Sequence, residues 1–152
     1  MIAFHINMSI GHFTSEYLKK WLRTIAENGY DTIIWEVEDA VCWDTCPECA
    51  APEAFTKDEF RRILSFASDL GLAAVPLLQT LAHCEYVLKL KKYEHLAEHP
   101  GFVELYCPCN LDVHEFLNKW IAEYIDLFGD IKYFHMGADE GWALGGKYCD
   151  GK

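Results

Sequence analysis

Two carboxylates stand side by side at Asp139 and Glu140, inside the stretch HMGADEGW that runs from His135 to Trp142. Like charges raise each other's cost of ionisation, so a vicinal acidic pair at a strand end suits a reaction that needs one carboxyl protonated and one charged. In glycosidic bond cleavage one member of such a pair can donate a proton while the other stabilises positive charge developing on the sugar ring. The same pair also serves, in many proteins, as a solvated surface feature or a helix cap. What separates these readings is where the fold puts the pair.

The surrounding elements are regular. IAFHINMS reads as a strand, and TSEYLKKWLRTIAENG as a helix that Thr14 or Ser15 can cap, with Tyr17, Leu18, Trp21, Leu22 and Ile25 at helical spacing and Gly29 at its end. A second unit follows: DTIIWEVED, a Cys- and Pro-rich loop, then TKDEFRRILSFASDLG with a Thr56–Glu59 capping box and Gly71 as terminator. LAAVPLLQT is a third apolar run, in which Pro76 removes a ladder donor. LDVHEFLNKWIAEYIDLFG supplies a further helix ending at Gly129, and KYFHMG is expected to be a fourth strand. Alternating strands and helices mean parallel strands joined by crossovers, either an open doubly wound sheet or part of a (β/α)8 TIM-type barrel. No Gly-rich turn follows the first strand, so a dinucleotide site is unsupported. His5, Glu36, Glu38, Asp39, Gln79, His83, His135 and the acidic pair all fall in or just after strands, at their C-terminal ends, where barrel enzymes build active sites. A full barrel needs about 250 residues, so this chain is read as a single domain, 1–152, supplying the first four β/α units.

Composition narrows the partners. Thirteen basic against 24 acidic residues, a formal charge of -11, speak against nucleic acid and for neutral or cationic ligands. No apolar run is long enough for a bilayer and no secretory leader is evident, so a membrane role is not expected. The seven cysteines cluster in predicted loops, a pattern expected of reduced thiols in a cytoplasm. Cys46-Pro-Glu-Cys49 has the spacing of a two-thiolate clamp, and Cys109 and Cys149 from neighbouring loops would complete a four-sulfur zinc site. Structural zinc and unmetallated thiols are both open readings at this point.

The motif HMGADEGW resembles the His-x-Gly-x-Asp-Glu signature of glycoside hydrolase family 20, the β-N-acetylhexosaminidases. WEVED, PLLQTLAHCEYVLK, LDVHEFLNKWIAEYIDLF and DEGWALGGKY resemble, in order and spacing, the hexosaminidase D-like branch of that family. The resemblance implies a barrel whose substrate is a glycan bearing terminal N-acetyl-hexosamine. It implies Glu140 as acid and then base, and Asp139 as the residue that orients the 2-acetamido group while that group acts as internal nucleophile. No cofactor is then required for catalysis. His83 would touch the acid or sugar hydroxyls, Glu38 and Asp39 would bind hydroxyls, Trp142 would stack on a sugar face, and His135 would be buried support.

The chain departs from the commoner members of the family. Their arginine after strand one has Ile10 nearest its position here, and the tyrosine and tryptophans that their later strands supply lie beyond Lys152. A half barrel leaves two strand edges unpaired, so completion by homodimerisation is one expectation. The rival reading is a catalytically inactive or truncated half barrel that serves as a glycan-binding or self-assembling module.

Overall fold

Three parallel strands, β1 (Ala3–Asn7), β2 (Thr32–Glu36) and β3 (Ala73–Leu77), lie side by side in chain order in the computed structural model, which describes residues 1–146. The crossovers are α1 (Ser15–Glu27) and α2 (Lys57–Asp69); a short α3 (Glu85–Leu88) and the long α4 (Leu111–Phe128) follow β3. Thr14 accepts from the Tyr17 N–H to start α1, the Thr56–Glu59 capping box starts α2, and Asn110 accepts from the Asp112 N–H to start α4. None of the helices is long and apolar enough to cross a membrane, among the described residues.

The register aligns Ala3 with Thr32 and Thr32 with Ala73, and it sorts side chains by face. Phe4, Ile33 and Trp35 turn towards the helices, where Trp35 meets Phe60 of α2 edge-on at 5.4 Å and Phe4 meets Trp21 of α1 at 6.3 Å. His5, Asn7, Ile34, Glu36 and Leu77 turn to the opposite face, where a cavity opens.

The run expected as a fourth strand is a correction. KYFHMG meets β3 in one parallel rung, Leu77 with His135. The His135 N–H donates to the Pro76 carbonyl at 2.9 Å and the Leu78 N–H donates to the His135 carbonyl at 3.1 Å. One rung earlier, the donor from β3 would have to be residue 76, and proline has no N–H. One rung later, Gly137 adopts φ 64 and its N–H turns back to His135 Nδ1 at 3.1 Å. Regular ladder pairing therefore stops on both sides of a single residue, and beyond it the Thr80 N–H donates to the Met136 carbonyl at 3.2 Å.

An aromatic stack on α4 fastens the loop after β2. Trp43 lies over Tyr124 with centroids 4.2 Å apart, Trp120 meets Trp43 edge-on at 6.1 Å, and Phe134 packs on Tyr124 at 6.0 Å. The Trp43 indole N–H donates to the Glu38 carbonyl at 2.7 Å, and the Glu123 carboxylate accepts from the N–H groups of Asp44 at 2.6 Å and Thr45 at 3.0 Å. Trp43 thus couples α4 to the backbone at Glu38. Trp43→Ala is expected to lower unfolding stability by about 3–5 kcal/mol in urea titration; a loss below about 1 kcal/mol would show that the stack does not anchor the loop.

Candidate active site

The cavity at the C-terminal ends of the strands measures about 630 Å³. Its floor is one rung of the sheet read across, Asn7, Glu36, Leu77 and then His135, all on the same face. His135 therefore lines the cavity and is exposed, a correction to its expected role as buried support: its neighbour Phe134, not His135, turns to α4.

Glu36 is buried and held from two sides. His5 Nε2 lies 2.9 Å from Glu36 Oε2, and Gln79 Nε2 donates to Glu36 Oε1 at 2.8 Å. Glu38 is buried two residues on, and its carboxyl is pushed up to about 9, first by burial, then by the Glu36 charge and its hydrogen bond to Glu36, with Asp39 and Glu85 adding to the effect. At neutral pH Glu38 is therefore a protonated hydrogen-bond donor and Glu36 its acceptor.

Three residues meet at the rim. His83 Nε2 lies 3.5 Å from Asp139 Oδ2 and 3.1 Å from Glu140 Oε2, which places the imidazole between the two acids. Asp139 and Glu140 are 56% and 57% exposed, so the wall beyond them is open. Only four non-glycine residues among those described have positive φ: Glu38 (38°), His83 (56°), Ala138 (67°) and Glu140 (55°). All lie in or beside this site, and each such conformation costs about 1–3 kcal/mol, the kind of strain that clusters at functional positions. Gly137 is required on two counts, its φ of 64 and the Gln79 side-chain oxygen against which a Cβ would collide.

Of the residues expected from sequence, Asp139, His83 and Glu38 line this cavity, and Glu140 joins them through His83. Asp39 does not line it; its carbonyl accepts from the Ala51 N–H at 2.9 Å, tying the loop to itself. Trp142, 86% exposed, does not line this cavity. Asn7 was not singled out by sequence reasoning, and His5 and Gln79 were noted only as strand-end residues; the signal for all three is alternation along β1 and β3 once the register is known.

The cysteines depart from the expected clamp. Cys42 and Cys84 are free thiols, whereas Cys46 and Cys49 are buried and joined by a disulfide across a short 3-10 turn. A sulfur bonded to sulfur is not a thiolate ligand, so zinc at this pair requires its reduced form. Cys149 lies outside the described residues. No group of three or more His, Cys, Asp or Glu is placed to hold a metal ion, among the described residues.

No family model matches the chain. In sequence it is 33% identical over 100 residues to Hexosaminidase D of Homo sapiens, covering 62% of this chain and 20% of that protein. In fold it is similar to a chitobiase of Flavobacterium johnsoniae, with a TM-score of 0.81 at 21% identity over 92% of this chain and 24% of that one. Dispersin B gives a TM-score of 0.78 at 19% identity, over 95% of this chain and half of that one. The resemblance read from the motifs is thereby shown as a likeness in sequence to Hexosaminidase D, and the α/β architecture matches part of the fold of these solved structures. The chain spans a fifth of the length of the human relative it matches.

The protonation of Glu38 has a measurable consequence. Its folded pKa lies above the ordinary carboxylate value of 4.5, so the folded state holds a proton that the unfolded chain has lost. Its stabilising effect is complete below about pH 4.5 and is lost as pH rises towards about 9. The thermal midpoint is expected to fall across that window, and Glu38→Gln to flatten the slope. An unchanged slope in the variant would assign the titration elsewhere.

Proposed function

We propose that this chain, a relative of the family 20 glycoside hydrolases, carries the catalytic pair of a β-N-acetylhexosaminidase acting on glycans with terminal N-acetyl-hexosamine. Glu140 protonates the glycosidic oxygen as the bond to the anomeric carbon breaks. Asp139 orients the 2-acetamido group, whose carbonyl oxygen attacks that carbon, and stabilises the oxazolinium ion so formed. Glu140, now a carboxylate, then takes a proton from the water that opens the ring, giving net retention. His83 steadies both carboxylates; Glu38, whose one proton is given to Glu36, accepts from a sugar hydroxyl; and no cofactor enters. The observation that carries this reading is the placing of His83 within 3.5 Å of both acids at the mouth of a cavity at the strands' C-terminal ends.

A second reading is favoured by the sheet edges. The outer edge of β1 has no strand beside it among the described residues; Ile10, Tyr17 and Trp21 are exposed near it, and Tyr133 and Met136 are exposed by the other edge. Such surfaces call for further β/α units, from the same protein or from a second copy placed to continue the barrel as a homodimer. Uncovered, the domain would be a glycan-binding or self-assembling module with idle carboxylates.

Hydrolysis of a chromogenic N-acetyl-β-glucosaminide by the purified chain separates the two. The enzyme reading expects turnover that Glu140→Gln cuts by about 10²–10⁴-fold; rates equal in both proteins favour the module. Light scattering tests the pairing, which expects twice the 17.5 kDa chain mass; a folded monomer at micromolar concentration removes it.

A further inference from the structure

A smaller hollow of about 190 Å³ lies beyond the acidic pair, lined by Phe102, Glu104, Leu105, Glu85, Glu140 and Trp142. His83 and Glu85 border both hollows, Asp139 borders only the larger, and Glu140 only the smaller. The pair therefore straddles a partition. An acid that protonates a bridging oxygen has the two halves of its substrate on either side of it, so the second hollow is where the leaving half would lie.

We infer that this hollow is a leaving-group subsite that favours a sugar carrying a free ammonium group, such as glucosamine, over a neutral sugar. The inference rests on the hydrolase reading for the hollow's role, and on its own lining for the preference. Trp142 and Phe102 bring aromatic rings to its lining, which suit the C–H side of a pyranose and a cation. Glu85 and Glu104 add two carboxylates, neither paired with Lys or Arg among the described residues. No basic side chain other than His83 lines the hollow, and His83 is engaged by Asp139 and Glu140. A neutral sugar gains the stacking alone, whereas an ammonium sugar gains stacking, cation–π attraction and a carboxylate partner.

The test needs no turnover. In ¹⁵N-labelled full chain at pH 6 and constant ionic strength, the Trp142 indole resonance, assigned with Trp142→Phe, is followed during titration with glucosamine and with glucose. Glucosamine is expected to bind about fivefold more tightly. Glu104→Gln should remove most of that preference, while Asp58→Asn, which changes the net charge equally on exposed α2, should leave it intact. Equal affinities, a preference that survives Glu104→Gln, or a silent Trp142 resonance would each overturn the subsite. Hydrolysis of methyl N-acetyl-β-glucosaminide, whose leaving group is too small to fill the hollow, reports on the Glu140 chemistry separately, so failure of either reading is seen by itself.

Discussion

The rest of the site depends on the register of a short parallel sheet. Pairing Asn7 with Glu36, Glu36 with Leu77 and Leu77 with His135 puts one row of side chains on one face. Because side chains alternate with period two, a slip of one residue at any strand would exchange Asn7, Glu36 and His135 for Ile6, Trp35 and Phe134. The apolar set on the opposite face forbids such a slip, since Trp35 against Phe60 and Phe134 against Tyr124 lose their burial if turned inward. The hydrophobic effect on the helix side thus specifies the chemistry on the cavity side.

That polar row could not be buried without internal satisfaction. Glu36 is a buried carboxylate between two donors, His5 and Gln79, and its neighbour Glu38 relieves the remaining repulsion by keeping its proton. The loop that carries Glu38 is pinned by Trp43, whose ring is clamped between Tyr124 and Trp120. Packing energy from α4 is in this way spent on holding Glu38 at a φ of 38 that an isolated chain rarely visits.

Much of this was legible in the sequence, and what was not has a physical reason. Helix starts came through because caps are local: Thr14, Thr56 and its partner Glu59 satisfy donors within one turn. Asp139, Glu140 and His83 were legible as strand-end residues, since the order of elements alone assigns them to one end of a parallel sheet. His135 was misread because alternation gives a face only relative to a neighbour, and the length of the last pairing depends on a missing N–H at Pro76. The Cys46–Cys49 disulfide was not expected, since clustered cysteines read as reduced thiols or a zinc clamp, and four residues in a tight turn bring two sulfurs together equally well for a metal or for each other.

The openness of the rim bears on how strongly these groups can act. Coulombic attraction between His83 and the two acids is weak in water and grows several-fold as solvent is withdrawn. With more than half of each acid exposed, the pair sits where that attraction is least effective. Glu38 is in the opposite state, buried enough beside Glu36 to hold a proton well above neutrality. A substrate ring set between the two, or a further strand laid along the His135 edge, would exclude water from the rim without moving the floor. The electrostatics of Asp139 and Glu140 are therefore coupled to whatever covers that edge, while the buried Glu36 and Glu38 pair beneath them is already formed.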